Sequence, residues 1–131
     1  MSYPSDIEPY RDYQRLVYNA KTPYENYDRM NGKFLENALK RAKEFVEKYP
    51  DKTLWCGEFG TIRHADIRSR ENWMNDVVSL FQEYGIPYSV WNYLSTPNDG
   101  NRFSLVDDDT RQILSERLLK IVLGETEERS E

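Results

Sequence analysis

Apolar positions recur along this chain with two different periods, and the alternation between the periods marks its elements. Over residues 31–48, Phe34, Leu35, Ala38, Leu39, Ala42, Phe45, Val46 and Tyr49 fall at three- and four-residue spacings and define one helical face. Asn31 is suited to cap that helix, and Pro50 to stop it. The short run Leu54-Trp55-Cys56 reads as a strand over 53–58. A second helix is expected over 70–84, burying Trp73, Met74, Val77, Val78, Phe81 and Tyr84, with Gly85 just past its end. Pro87 opens a second strand over 87–91, where its missing N–H is tolerable. A third helix is expected over 109–123, with Ile113, Leu114, Leu118, Ile121 and Val122 inward, Asp107 to Asp109 as caps and Gly124 as its end.

A right-handed crossover through the middle helix makes the two strands parallel neighbours, so both end at one edge. The first ends in Gly57-Glu58-Phe59-Gly60, a carboxylate between two glycines that let the backbone turn sharply and come close to another segment. The second ends in Trp91-Asn92-Tyr93, followed by a polar, turn-rich loop over 94–102. Parallel α/β folds build their sites at such an edge.

Residues 1–30 have no clean period and carry six tyrosines: Tyr3, Tyr10, Tyr13, Tyr18, Tyr24 and Tyr27. Only 12–20 offers room for a short helix. The rings are expected to pin an irregular arm to the fold with their hydroxyls wet, stacking on sugar being the alternative. The chain therefore divides into an arm (1–30), a set of β/α units (31–124) and an acidic tail (125–131) expected to be disordered.

Composition narrows the function classes. With 131 residues and a net charge of −5, the chain is one domain at most. It has no basic stripe interleaved with aromatics, so nucleic acid is not an expected partner. No apolar run approaches the roughly 20 residues of a membrane span. Residues 1–10 hold no apolar leader core, which reads as cytoplasmic for the chain as it stands. The single Cys56 cannot form an intrachain disulfide and suits a small apolar role in its strand. His64 is the only histidine and has no metal-ligand set around it; with Arg63 it is expected on the rim of a cleft. A nucleophile elbow and a phosphate-cradling loop are both missing, and no cofactor is expected.

The ordered pair of strand ends, Gly57-Glu58-Phe59-Gly60 and Trp91-Asn92-Tyr93, with Gly85-Ile86-Pro87 before the second and Phe103-Ser104-Leu105-Val106-Asp107 after it, resembles the C-terminal end of the cellulase-like (β/α)8 glycoside hydrolases of family 5. The resemblance covers roughly residues 32 to 123. It implies an α/β fold, a partial (β/α)8 (TIM) barrel with two parallel strands and about three helices, because a full barrel needs about 200 residues or more. It implies Glu58 as the nucleophile of a retaining hydrolase of β-1,4-glucan-type polysaccharides, Trp91 as the aromatic floor of a sugar subsite, and Asn92 beside it as a substrate contact.

Retention needs a second carboxyl group about 5–5.5 Å from the first. In the resembled family that acid/base glutamate belongs to an Asn-Glu pair at the fourth strand. Here Glu25-Asn26 and Glu36-Asn37 run in the wrong order, and Glu71-Asn72 lies near a helix start. The expectation is a chain that carries the nucleophile without its acid and is inactive alone. Its expected partners are a β-glucan or oligosaccharide, and either the missing N-terminal barrel portion or a second copy of itself. The second reading is a non-catalytic module that self-associates or binds carbohydrate weakly. Leu54, Cys56, Tyr88 and Val90 alternate with other apolar residues, so both sheet faces are expected to seek burial. With two free sheet edges, this points to a homo-oligomer, unless the arm folds over the open face.

Overall fold

The structure, a computed structural model, describes residues 2–96 and 98–131; Met1 and Pro97, the latter within the polar loop, lie outside it. The two expected strands form, as β3 (Cys56–Phe59) and β4 (Tyr88–Val90), and pair in parallel. The chain before them holds β1 (Ser5–Asp6), α1 (Glu8–Tyr18), β2 (Arg29–Met30), α2 (Gly32–Ala38) and α3 (Lys40–Lys48). Between the parallel strands lies α4 (Ile67–Tyr84), and α5 (Glu116–Val122) follows β4. This is one edge of a parallel barrel, two strands backed by helices and not closed.

The spine of the molecule is α4, because it feeds two separate cores. Val77, Leu80, Phe81 and Tyr84, with Ile86 beyond its end, pack with Tyr3, Ile7, Met30 and Leu35 from the arm and α2. Met74 and Val78, a little round the helix, pack with Leu105, Leu118 and Ile121. Asp66 caps α4 by accepting from the Ser69 N–H at 2.9 Å, which starts the helix one turn earlier than the apolar period suggests. Gly85, with φ of 65°, ends it in the left-handed conformation.

Other elements depart from the sequence reading for local reasons. The helix expected over 31–48 tightens at Leu39 into α2 and α3, although Leu39 N–H still donates to Leu35 O and Lys43 N–H to Leu39 O. The third helix starts late. Asp107 Oδ1 accepts from the N–H groups of Asp109 and Thr110, folding a tight turn, and Val106 bridges Ile113 across it. Ser115 is the cap instead, accepting from Leu118 N–H at 3.0 Å. In the arm, α1 begins at Glu8, and β1 pairs antiparallel with β2.

The tyrosines divide into two groups. Tyr3 is buried, Tyr24 and Tyr27 meet Phe34 edge to face, and Tyr13 and Tyr18 stay exposed on α1. The Tyr3 hydroxyl is not wet: it donates to Asp76 at 2.5 Å. Burial, then the hydrogen bond to Asp76, push its pKa upward. Asp76 itself is fully buried in α4 and also accepts from the Ser130 N–H at 3.1 Å and the Ser130 hydroxyl. The tail expected to be disordered is thereby laid against α4. Glu127 N–H donates to Asn75 Oδ1 at 2.8 Å, and Arg117 pairs with Glu127 at 2.8 Å.

A buried carboxylate with several donors has no substitute in an apolar side chain, and each donor left behind loses its partner. Asp76→Ala is therefore expected to cost about 3 kcal/mol in a urea titration. It should also speed hydrogen exchange at the Ser130 amide, which bonds Asp76, and at the Gly32 amide, which bonds Ser130 O. Unchanged stability would show that the two ends of the chain are not held through this residue.

Candidate functional site at the strand tips

Strict alternation along β3 would place Glu58 on the same side as Leu54 and Cys56, which pack into the first core. It does not lie there. Cys56 pairs with Tyr88 and Phe59 with Val90, so β3 advances three residues while β4 advances two. The extra residue is a bulge, and it flips the parity of the strand. Phe59 now turns inward against Trp73, Phe81 and Tyr88, and Glu58 is exposed. Trp73 thus fills the helix–sheet space, as its place in the apolar period implies.

The sheet faces are consequently unlike. Leu54, Cys56, Phe59, Tyr88 and Val90 pack toward the cores around α4. The other side carries Gly57, Glu58 and Ser89, all exposed, with Trp55 at 60% and Trp91 at 46% exposure. The expectation that both sheet faces seek burial is corrected by this polar interruption.

Trp91 follows β4 directly. Its N–H donates to Phe59 O at 2.7 Å, so Glu58 and Trp91 stand at neighbouring strand tips on one edge. The Trp91–Asn92 peptide is cis. A Cβ at Gly60 would overlap the carbonyl oxygen of Trp91 and lie 3.3 Å from Phe103 Cδ1. Only glycine fits there. Gly57 has no such role, since a Cβ on it would meet nothing nearer than the Trp55 ring at 3.9 Å. Asn92 Oδ1 accepts from the Ser95 hydroxyl at 3.2 Å. Among the described residues, no hydrogen bond or ion pair engages the Glu58 carboxylate.

The loops after the two strands are fastened to each other. Arg63 reaches across to Asp107 at 3.0 Å and Asp108 at 2.8 Å, and Arg102 joins Asp108 at 3.3 Å. The Arg63 N–H donates to Arg102 O, and a His64 ring nitrogen lies 3.0 Å from Gly100 O. Both residues expected on a rim are thus loop fasteners. Hydrogen bonds from Thr110 hold the Asp107 carboxyl below its ordinary pKa, and that from Ser104 does the same for Asp108. Sequence reasoning missed Asp108 and Ser104, because an acid in a run of three reads as a helix start. Among the described residues, no cluster of His, Cys, Asp and Glu is placed to hold a metal ion.

The two parallel strands and the helices behind them have the fold of the C-terminal β/α units of a family 5 cellulase-like (β/α)8 barrel. The particular relatives are endoglucanases. The chain is 40% identical over 94 residues to Endoglucanase C of Acetivibrio thermocellus and, equally, to Endoglucanase C307 of Clostridium sp. (strain F1). The match takes in 72% of this chain and 25% of each relative, so the chain spans about a quarter of their length. A solved hyperthermophilic endo-β-1,4-glucanase in complex with substrate superposes with a TM-score of 0.59 at 27% identity, over 71% of this chain and 27% of that one. Thermotoga maritima Cel5A, solved with cellobiose, shares the fold at a TM-score of 0.57 and 24% identity, over 70% and 27%. No protein-family profile matches the chain.

Two expectations follow. Gly60→Ala drives a methyl group into a backbone carbonyl that no rotamer change can move, and should cost about 1–3 kcal/mol or more by chemical denaturation. Gly57→Ala should stay within about 0.5 kcal/mol; equal costs would refute the close approach.

The second concerns acid. The folded Asp107 and Asp108 have depressed pKa values, so the unfolded chain binds more protons between the folded and unfolded values. Their contribution is complete above about pH 3.9 and is lost as pH falls through the depressed values. The thermal midpoint should drop on acidification through that range, and less steeply in Asp108→Asn.

Proposed function

We propose that this chain is the nucleophile-bearing part of a retaining hydrolase of β-1,4-glucan-type polysaccharides, with Glu58 as nucleophile and Trp91 and Asn92 as the adjoining sugar subsite. The observation that carries the reading is the bulge in β3, which turns Glu58 out of the core face at the edge where Trp91 stands. The endoglucanase relatives support the substrate class, as does the endo-β-1,4-glucanase solved with its substrate. In this reading the Glu58 carboxylate attacks the anomeric carbon as the glycosidic C–O bond breaks, and an acid protonates the departing oxygen. Water then hydrolyses the glycosyl–enzyme ester, giving its proton to the same group. The indole of Trp91 offers a broad apolar face to the C–H groups of the sugar ring.

The acid is supplied from outside this chain. Glu71, of the Glu71-Asn72 pair, is bound to the Ser115 hydroxyl at 2.5 Å and to Arg117 at 3.0 Å between α4 and α5. Positioned proton transfer contributes about 10²–10⁴-fold, so a nucleophile without it is a poor catalyst. The chain alone should leave a soluble β-1,4-glucan uncut, with Glu58→Ala indistinguishable from the parent. Mixed with the N-terminal strands of an endoglucanase relative, it should release reducing sugar, and Glu58→Ala should abolish that release. Turnover by the isolated chain that vanishes in Glu58→Ala would mean the acid lies within it.

The second reading, a non-catalytic module that self-associates, is favoured by one observation. The two-stranded sheet has a free edge on each side, and Trp55 lies open on its uncovered face. Sedimentation at micromolar concentration distinguishes the two: a stable two-fold dimer supports this reading, and a monomer with a cooperative melt removes it.

A further inference from the structure

Behind the two strand tips lies a buried charge with no opposite charge beside it. Arg70, in the first turn of α4, is 2% exposed. Among the described residues no carboxylate pairs with it, and the charge nearest in effect is the like-charged Arg63, itself held by Asp107 and Asp108. Its Nε donates to Thr61 Oγ1 at 3.2 Å and its Nη2 to Ser104 O at 2.9 Å. Burying an uncompensated cation is costly, and an apolar side chain would fill the space more favourably. What Arg70 contributes is reach: one rigid fork touches the loop after β3, at the residue following Gly60, and the loop after β4.

From Ser104 the contacts run on to the site. Ser104 Oγ accepts from the Ser95 N–H at 3.0 Å and donates to Asp108 at 2.5 Å. Ser95 Oγ accepts from the Phe103 N–H at 3.0 Å, so its one proton is free for Asn92 Oδ1, 3.2 Å away. With its oxygen occupied, Asn92 is left to present its NH₂ group as a donor.

We propose that Arg70 is a positioning residue for the substrate-binding edge. Its fork sets the separation of the loops behind Glu58 and Trp91, and through Ser104 and Ser95 it orients the Asn92 amide as a donor to a sugar hydroxyl. The proposal rests on the functional reading above in taking Asn92 and Trp91 as sugar contacts.

Nuclear magnetic resonance of the intact chain tests it, reading the Asn92 Nδ2–H₂ and Trp91 Nε1–H signals with and without cellotetraose. Arg70→Met should shift both signals in the free protein and weaken cellotetraose binding about fivefold or more, the scale of one lost hydrogen bond. Arg70→Lys, which keeps the charge and loses the fork, should restore them only in part. Ser95→Ala leaves the buried cation untouched and should move the Asn92 amide without moving the Thr61 amide. A folded Arg70→Met with both signals in place overturns the proposal. Should Arg70→Met not fold, Ser104→Ala decides: an unmoved Asn92 amide there overturns it equally. If the parent chain ignores cellotetraose, Trp91 and Asn92 do not form a sugar subsite in this chain alone, while the shifts in the free variants still judge the positioning role.

Discussion

The structure depends most on how closely the backbones of β3 and β4 come together at their C-terminal tips. The carbonyl of Trp91 occupies the space where any side chain on Gly60 would be, and the Trp91 N–H bonds Phe59 O. Just before that approach β3 carries one extra residue, which brings Phe59 into the core while releasing Glu58. In a regular strand residues three apart face opposite ways, so burying Cys56 would turn Phe59 outward and Glu58 inward. The bulge lets Cys56 and Phe59 both pack inward while Glu58 stays exposed.

Behind this edge, polar and apolar packing have divided the work. α4 supplies apolar residues to a core on each of two sides, and its remaining buried positions are polar: Ser69, Arg70, Asn75 and Asp76. Asp76 and Asn75 hold the segments at the two ends of the chain, through Tyr3, Ser130 and Glu127. Arg70 holds the two loops at the strand tips. Such groups stabilise little relative to an apolar core of equal volume, but they accept only one arrangement of their partners. Irregular segments without a repeating hydrogen-bond ladder need that selectivity most.

The legible part of the sequence was the part governed by period. The apolar faces of α3 and α4, the two strands, their parallel order and the placement of Glu58 and Trp91 at one edge all follow from spacing and from the resemblance those tips carry. Gly60 was legible as a close approach, Gly57 misleadingly so, because a glycine does not announce which neighbour it accommodates. The late start of α5 was hidden, since Asp107 serves equally well as a helix cap or as the pivot of a turn, and only Ser115 decides between them. The tail looked unstructured because its composition is acidic. Its order comes from side chains of α4 more than 50 positions earlier in the chain, a separation no local pattern encodes. Arg70 and Asp76 were invisible for the same reason: a charged residue in a helix reads as solvated until the partner that buries it is known.

The distribution of these contacts separates what the chain completes from what it leaves open. Every connection that fixes the Glu58–Trp91 edge is internal: the bulge, the Gly60 approach, the Arg63 and Arg102 pairs with Asp107 and Asp108, and the Arg70 fork. The nucleophile side of the proposed site is therefore held in shape by this quarter of a barrel without help from the rest. The uncovered side is the face of the sheet that carries Trp55 and Glu58, toward which an acid would have to be brought. A retaining site divides naturally along that line, since its two carboxyl groups stand on opposite sides of the scissile bond and need to share only a separation. The loops behind Glu58 are fastened to each other, so a partner that docked on this face would meet a backbone edge already in place. Its docking would have to supply both the position of an acid and the groups that orient the Glu58 carboxylate, while the backbone edge beneath Glu58 and Trp91 is already in place.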